Sequence, residues 1–502
     1  MIETLALATG AAPWLALLVS GAVRHRVAAT ARAAVWITGL GALGAVALAI
    51  TLVSSGPISV VVAAPLLVFH LDGLAMVMLT LVLGLSAVIQ SFSLRYLRGD
   101  RRQAWFVRSV SLLTASTALM VTAHTVVLFG LAWVASSIAL VLLLATYAPE
   151  AQAAEGVRKT ASRLALGDLA LVAAVVLLGV TAGWGVSFAD LAPAVSQLPP
   201  LVVAGLALLL VLPALARASQ VPFHGWLPVT LAAPTPASAL MHAGVVNAGA
   251  ILIIRFMPIL GDSPPAMLLI FAAGSATLVG AALLRMTRAD VKGRLVYSTM
   301  AQMGFMLLTC GVGATAAAVF HLVAHGLYKS ALFLSAGSAI QQATRERQWP
   351  MALALSRPVT GAALVSAAAL AVIVVIGARL LLWPEISAPG VAMLVSVVAA
   401  AGVLIAGVLI SRLTWGTVFV ASLIMAGLAA VYTLALRAFT ALLGDPGIPG
   451  AAVSPWWILI PGVLLVVVQV LPRFPVGSRY FTGVLYARAL SASSPQVLVQ
   501  RG

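Results

Sequence analysis

Charged residues and cysteine are scarce in this chain of 502 residues. Only 8% of the residues are charged, 12 of them acidic, and Cys310 is the single cysteine. Soluble domains carry about 25% charged residues, so the composition excludes an ordinary soluble protein. One cysteine excludes a disulfide framework and a thiolate metal site. The sequence also lacks a nucleotide-binding loop, a nicotinamide fingerprint and an iron–sulfur cysteine pattern.

Hydrophobic residues dominate instead, at 62% of the chain against about 45–50% in soluble domains. A membrane-spanning helix needs about 20 consecutive apolar residues, and runs of that length recur along the chain. Alternating strand patterns of the barrel type are absent, so the spans are predicted to be helices. We expect an all-α polytopic membrane protein with about 14–15 transmembrane helices. The predicted spans are 3–22, 33–54, 72–93, 105–123, 125–146, 161–182, 201–218, 237–259, 265–286, 293–314, 316–340, 358–381, 390–411, 415–440 and 455–472.

The net charge is +16, and the basic residues that produce it are concentrated on alternate loops. Loops 183–200 and 441–454 contain Asp190 and Asp445 but no Lys or Arg. The alternate loops are basic, as the positive-inside rule describes, which predicts the N-terminus outside and the C-terminus inside. Topology and contact with anionic membrane lipid therefore explain the charge better than nucleic-acid binding does. The basic residues on the predicted inner side are Arg24, Arg26, Arg32, Arg95, Arg98, Arg101, Arg102, Arg158, Lys159, Arg285, Arg288, Lys292, Arg294, Arg345, Arg347, Arg357 and Arg412, followed by Arg473, Arg479, Arg488 and Arg501.

No low-complexity linker divides the chain, so we expect one integral membrane domain over residues 1–472. The first apolar segment has no basic n-region and no small-residue cleavage site, which predicts a retained helix rather than a signal peptide. Residues 473–502 are predicted to form a basic cytoplasmic tail.

A ladder of ionisable side chains lies in the second half of the chain. His321, His325 and Lys329 recur every four residues within an apolar stretch, 316–340. At about 1.5 Å rise per residue they form a row roughly 12 Å long on one helix face. Ionisable groups at membrane depth commonly mark proton or ion paths. Histidines four residues apart also suit zinc, but no carboxylate or cysteine stands nearby as a third ligand, so a metal-dependent hydrolase is the weakest alternative.

Four prolines interrupt the apolar pattern between Arg217 and His242. Proline removes a helical hydrogen bond, and non-helical backbone survives at membrane depth only when it is buried in protein or lines a wet cavity. Transporters use such broken helices to place freed carbonyls at ion sites. A broken helix is the favoured interpretation, and an ordinary inner loop between two spans is the alternative.

A third stretch, 288–304, opens with a charged cluster and continues into an apolar helix that carries Tyr297, Ser298, Thr299 and Gln302. Polar groups on a lipid-facing helix would have no partners, so we expect these to face the protein interior. On its own, the stretch is explained slightly better as a positive-inside flank with polar packing residues than as a functional site.

Together these stretches resemble the proton-conducting, antiporter-like membrane subunits. That superfamily includes the L, M and N subunits of respiratory complex I, hydrogenase-linked membrane subunits and multisubunit sodium/proton antiporters. The resemblance is strong over about residues 60–340. It rests on Trp226-Leu-Pro, Pro234-Thr-Pro-Ala-Ser-Ala-Leu-Met-His242, Asp290-Val-Lys292, Tyr297-Ser-Thr-Met-Ala-Gln-Met-Gly304 and His321-x3-His325-x3-Lys329.

The resemblance implies two inverted five-helix repeats, each with a broken helix, around a central chain of lysines, histidines and water. Lys292 matches the family's central lysine, and His242 matches the histidine after the Pro-Thr-Pro break. His321, His325 and Lys329 match the histidine–lysine helix of the proton path. We therefore expect these five residues to form the proton pathway.

The departures from the family pattern concern charge. Complex I-type members carry a glutamate directly after the tryptophan of the fifth span, where this chain has Trp133-Val134. The partner lysine is replaced by Arg217, whose guanidinium stays charged in proteins. We expect Asp168, which matches an aspartate on the following helix, to pair with Arg217 as a fixed electrostatic gate. The second broken helix has no clear counterpart after residue 350, where Arg379 and Arg412 are the basic candidates.

This combination is similar to the membrane subunit of the DAB inorganic-carbon transporters. The similar runs are Ala216-Arg-Ala-Ser-Gln, Met241-His-Ala-Gly-Val-Val-Asn-Ala-Gly249 and Ala324-His-Gly-Leu-Tyr-Lys-Ser. The resemblance implies a non-enzymatic, cation-conducting subunit of a bacterial inner membrane, without a cofactor or metal of its own. Its partner is expected to be a large soluble zinc-binding, carbonic-anhydrase-like subunit that hydrates CO2 to bicarbonate. The alternatives are a proton-pumping subunit of a complex I or hydrogenase assembly, and a multisubunit cation/proton antiporter.

Overall fold

The computed structural model describes residues 2–22, 27–63, 67–288, 290–348, 377, 388–392, 415–443 and 453–470. Helices form most of these ranges, because apolar runs of spanning length alternate with short loops. They are α1 (Ile2–Ala22), α2 (Val27–Ser55), α3 (Gly73–Tyr96), α4 (Gln103–Thr122), α5 (Val126–Leu144), α6 (Ala151–Ala182), α7 (Leu191–Ser196), α8 (Pro200–Arg217), α9 (Thr235–Ala243), α10 (Ala248–Arg255), α11 (Met257–Leu260), α12 (Pro264–Met286), α13 (Val291–Gly311), α14 (Thr315–Gln348), α15 (Trp415–Leu443) and α16 (Leu459–Val470).

The predicted all-α polytopic membrane architecture is confirmed. Within the described ranges, eleven helices are long and apolar enough to cross a membrane. Helix α13 has spanning length but carries the polar side chains of the 288–304 stretch and is not among the eleven. The spans predicted at 358–381 and 390–411 fall almost wholly outside the described residues, as do Arg379, Arg412 and the tail 473–502.

A short β-hairpin follows α2. The sequence did not predict this hairpin. Strands β1 (Ile58–Ala63) and β2 (Leu67–Leu71) pair antiparallel with Ile58 opposite Leu71. Phe69 of β2 also pairs with Ala123, between α4 and α5. The hairpin therefore ties together the connections at one end of the bundle, here called the hairpin end. The opposite end, with the loops 97–102 and 148–150, is called the basic end.

The segment between α8 and α9 is buried at both of its ends but exposed at Val221, Pro222 and Gly225. Helix α8 ends at Arg217, a 3-10 turn runs from His224 to Ala232, and α9 begins at Thr235. Gln220 and Trp226 in this segment are both fully buried. The Trp226 indole donates to the Ala216 carbonyl over 2.9 Å, which satisfies one of the carbonyls freed at the end of α8.

A second interruption lies inside the next span. Helix α9 ends at Ala243, a 3-10 turn covers Val245–Asn247, and α10 continues from Ala248 to Arg255. The four prolines precede this break and did not predict it. Together the two interruptions place backbone carbonyl groups next to α13 and α14, where Lys292 and His325 contact them.

Candidate ion path

The row of ionisable side chains on α14 faces α13. Lys329 and His325 are buried, with exposed fractions of 0% and 3%. Their partners on α13 repeat the four-residue spacing: Lys329 Nζ donates to Ser298 Oγ over 2.7 Å, and His325 Nδ1 lies 2.6 Å from Gln302 Oε1. The two antiparallel helices are thus joined by two polar side-chain pairs one helical turn apart. These pairs, Lys329–Ser298 and His325–Gln302, are called the polar rungs.

The third rung of this row, nearest the hairpin end, is aromatic. His321 meets the edge of the Phe305 ring, with 5.1 Å between the ring centroids. The His321 and His325 rings are roughly parallel, with centroids 5.9 Å apart. Among the described residues, His321 Nε2 has no hydrogen-bond partner. The row is therefore polar at Lys329 and His325 and ends against an apolar ring.

His325 also contacts the interrupted span. Its Nε2 lies 3.2 Å from the carbonyl oxygen of His242, in the last turn of α9. A Cβ on Gly326 would lie 2.9 Å from the Ala243 carbonyl oxygen, so glycine permits this close approach of α14 to α9. The His242 ring is fully buried and stacks on Phe333 at 4.6 Å between centroids. The structure thus brings His242, His325 and Lys329 into one buried cluster with Ser298 and Gln302.

Lys292 lies apart from the rungs, in the first turn of α13. Its Nζ donates to the carbonyl oxygens of Leu231 and Ala233, over 3.2 Å and 2.9 Å. Six residues separate it from Ser298, about 9 Å along the helix axis. The lysine that occupies the buried centre is therefore Lys329, while Lys292 binds the carbonyls that precede α9.

Arg217 lies at the end of α8 and is 1% exposed. Its Nη2 is 3.7 Å from Asp168 Oδ1 on α6. Its Nη1 donates to Ser136 Oγ over 2.9 Å, and its Nη2 donates to Ser137 Oγ over 2.5 Å. The serine hydroxyls of α5 were not singled out in the sequence, although they follow Trp133 by three and four residues, one helical turn away.

Trp133 connects the two members of this ion pair. Its indole Nε1 donates to Asp168 Oδ1 over 2.8 Å, and its carbonyl accepts from Arg217 Nη2 over 3.1 Å. The guanidinium carbon lies 4.3 Å from the ring centroid, a cation–π contact. Gly167 allows α6 to approach α8, because a Cβ there would lie 2.8 Å from Ala216 Cβ.

The hairpin end holds a second ion pair that the sequence analysis missed. Asp72 caps α3 by accepting from the Ala75 amide over 2.8 Å, and it receives two hydrogen bonds from the Arg255 guanidinium. Burial opposes ionisation of Asp72, but Arg255 and the Ala75 amide outweigh it and hold the Asp72 pKa below its usual value. Burial lowers the pKa of the neighbouring His70, with Asp72 opposing the effect.

The chemistry available to this site is proton exchange and charge stabilisation. Lysine and histidine exchange protons, whereas an arginine guanidinium stays charged. In the described part of the chain, no group of three or more His, Cys, Asp or Glu side chains is arranged to hold a metal ion. The fold and the buried row define a polytopic, ion-translocating membrane subunit of the antiporter type.

The chain is an antiporter-like membrane subunit, and it is similar to the NADH:quinone oxidoreductase/Mrp antiporter family. The family model of that description matches residues 123–357, and the model of the complex I chain 5 N-terminus matches residues 65–107. Together the two matches cover more than half of the chain. The residues of the candidate ion path all lie within the first match.

The similar proteins include probable inorganic carbon transporter subunits and NADH-quinone oxidoreductase subunits. The chain is 39% identical over 282 residues to a probable inorganic carbon transporter subunit DabB1 of Halothiobacillus neapolitanus, which covers 55% of this chain and 50% of that protein. It is 32% identical to NADH-quinone oxidoreductase subunit L of Mycobacterium tuberculosis, over 55% of this chain and 44% of that one. The chain thus spans about half the length of the curated relatives it matches. The Mrp complex of Dietzia sp. DQ12-45-1b contains a chain that superimposes with a TM-score of 0.63 and 25% identity, covering 97% of this chain and 59% of that chain.

Proposed function

We propose that this chain is the membrane subunit of an energy-coupled inorganic-carbon transport complex. It conducts protons, or another cation, down their gradient and so drives CO2 hydration to bicarbonate by a large soluble zinc-binding, carbonic-anhydrase-like (DabA-like) subunit. The observation that supports cation conduction is the buried row in which Lys329 and His325 contact Ser298 and Gln302. The similarity to a probable inorganic carbon transporter subunit supports the carbon substrate.

The surroundings of Arg217 favour this assignment over a complex I-type pump. A glutamate–lysine pair exchanges protons, but here an arginine is paired with Asp168 and held by Ser136, Ser137 and Trp133. We assign this pair the role of a fixed electrostatic gate that biases the protonation of Lys292 without carrying protons itself. The proton pathway is then His242, Lys292, His321, His325 and Lys329.

The proposed location is the inner membrane of a bacterium, with the N-terminus outside and the C-terminus in the cytoplasm. The basic end then faces the cytoplasm, as the positive-inside rule requires. The hairpin end faces outward, so the row runs from Lys329 on the cytoplasmic side towards His321.

The test is uptake of labelled inorganic carbon by bacterial cells that lack carbonic anhydrase and express the chain with a DabA-like soluble subunit. Uptake is expected to require both proteins, to stop when a protonophore or cation ionophore collapses the gradient, and to be lost in Lys329→Gln. Lys159→Gln is the matched control, because Lys159 is an exposed lysine paired with Glu155 on α6. Uptake that persists without a gradient and with Lys329→Gln would contradict the proposal.

A second function, a subunit of a cation/proton antiporter or a respiratory pump, is favoured by the similarity to the Mrp complex over 97% of this chain. Copurification from native membranes separates the two. A large soluble zinc protein among the partners supports inorganic-carbon transport, whereas quinone-reductase, hydrogenase or Mrp-type subunits support the second function.

A further inference from the structure

The two ring nitrogens of His325 face two different partners. Nδ1 lies 2.6 Å from the side-chain oxygen of Gln302, and Nε2 lies 3.2 Å from the backbone carbonyl of His242. Both of these atoms accept hydrogen bonds and cannot donate them. His325 is buried, so each unmade hydrogen bond has a free-energy cost of about 1–3 kcal/mol. The hydrogen-bond pattern around this ring therefore constrains its proton count.

A neutral imidazole has one N–H group and one acceptor nitrogen, whereas an imidazolium has two N–H groups. The His242 carbonyl always requires a hydrogen on Nε2. In neutral His325, Nδ1 is then an acceptor and needs a donor opposite it. In the imidazolium, Nδ1 carries a hydrogen and needs an acceptor opposite it.

Gln302 meets both requirements, because its side-chain amide has a donor and an acceptor on the same carbon. A half-turn about the Cγ–Cδ bond exchanges the Gln302 nitrogen for the oxygen. The arrangement with the oxygen towards Nδ1 suits the imidazolium, and the reverse arrangement suits the neutral ring. No other side chain in the described residues hydrogen-bonds to the His325 ring.

We propose that Gln302 is a positioning residue whose amide turns over each time His325 gains or loses a proton. The His242 carbonyl fixes the Nε2–H in both states, so the proton is exchanged at Nδ1. Nδ1 becomes N–H when the ring gains a proton, and it returns to an acceptor when the ring loses that proton. His325 then changes charge without leaving a buried hydrogen bond unmade. This inference rests on the proposed cation-conducting function.

Two substitutions separate the parts of this role. Gln302→Glu places an ionised carboxylate opposite Nδ1, which accepts but does not donate, and so favours the imidazolium. Gln302→Met keeps a similar shape and removes both hydrogen-bonding groups. Gln90→Met is the matched control, because Gln90 is also a buried glutamine in a helix, and its side chain donates to Ser86 of the same helix.

The experiment is ¹⁵N NMR of histidine-labelled full-length chain in nanodiscs, as the complex with its copurified partners. The His325 signals are identified by their loss in His325→Gln. In the wild type, Nε2 is expected to stay protonated from pH 5 to 9, while Nδ1 changes from protonated to unprotonated. In Gln302→Glu the midpoint of that change is expected to rise by about 1 pH unit or more. In Gln302→Met the neutral ring is expected to keep its proton on Nε2, because the His242 carbonyl is unchanged, while the imidazolium loses its acceptor at Nδ1 and the midpoint falls. Gln90→Met is expected to match the wild type.

A wild-type neutral His325 that carries its proton on Nδ1 would overturn the proposal, and this holds even if neither Gln302 variant folds. An unchanged midpoint in folded Gln302→Glu would overturn it as well. Proton flux into proteoliposomes, measured on the same complexes, tests the proposed function separately. Absent wild-type flux with the expected NMR signals would reject conduction and keep the assignment of Gln302 as the group that follows the charge of His325.

Discussion

Arg217 and Asp168 lie on neighbouring helices with 3.7 Å between Nη2 and Oδ1, and Trp133 binds both of them. The guanidinium therefore has a counter-charge, two serine hydroxyls, a carbonyl and an aromatic face around it. A buried cation that lacks such partners is costly. The chain thus keeps a permanent positive charge in a buried position at the end of α8.

The first prediction concerns this pair. Asp168→Asn keeps an oxygen for the Trp133 indole but removes the charge opposite Arg217, which is 1% exposed. Because breaking a buried ion pair costs about 3–5 kcal/mol, we expect a lower melting temperature and impaired inorganic-carbon uptake. Arg217→Gln is expected to impair uptake too, and the double exchange Asp168→Arg with Arg217→Asp should recover part of it. Wild-type uptake in both single variants would contradict the gate.

The second prediction concerns the rungs between α13 and α14. Lys329→Gln and His325→Gln retain polar side chains but remove the groups that exchange protons. Uptake is expected to fall to the background of cells without the chain, while membrane insertion and expression stay at wild-type levels. Immunoblots of isolated membranes provide that control. Activity retained in both variants would remove the proton-path interpretation.

The third prediction distinguishes two roles of Lys292, whose Nζ donates to the Leu231 and Ala233 carbonyls. If Lys292 only anchors this segment and the topology, Lys292→Arg should retain uptake, because guanidinium also donates to carbonyls. If it passes protons, Lys292→Arg should abolish uptake, because guanidinium stays charged. We expect loss of uptake with normal insertion, and retained uptake would return Lys292 to the anchoring role.

The fourth prediction concerns stability at the hairpin end. Asp72→Asn leaves the Arg255 side chain, which is 9% exposed, without its counter-charge. We expect a loss of about 2 kcal/mol in the free energy of unfolding at pH 7, less than for a fully buried pair because Asp72 is 25% exposed.

The pH dependence of this effect follows from the lowered pKa of Asp72. Its contribution is fully present above the unfolded value of about 3.9 and is lost as the pH falls through the lower folded value. Thermal melting in detergent should therefore separate wild type and Asp72→Asn at pH 7 and bring them together in acid below pH 4. A constant difference across that range would contradict the assignment.

The sequence predicted the elements that depend on local pattern. Apolar runs of spanning length located the helices, and the prolines between Arg217 and His242 located the first interruption. The four-residue spacing of His321, His325 and Lys329 was enough to predict that they share one helix face. Ser298 and Gln302 were expected to face the protein interior, and the structure confirms this.

Features that depend on register between distant segments were not predictable in the same way. The Asp72–Arg255 pair joins residues 183 positions apart, and no local signal connects them. The pairing of Gln302 with His325 requires the relative height of α13 and α14. A clue was present, since Ser298 and Gln302 repeat the spacing of Lys329 and His325. The hairpin lies between the spans predicted at 33–54 and 72–93, in a segment for which no element was predicted.

At the hairpin end the row meets the apolar ring of Phe305. A path that stayed wet from one membrane face to the other would leak, and it would discharge the gradient without doing work. Hydrophobic constrictions close pores by excluding water, and the Phe305 ring lies against His321 with 5.1 Å between centroids, past the last polar rung. In the proposed path, closure at the hairpin end would then rest on an aromatic side chain rather than on a charged group.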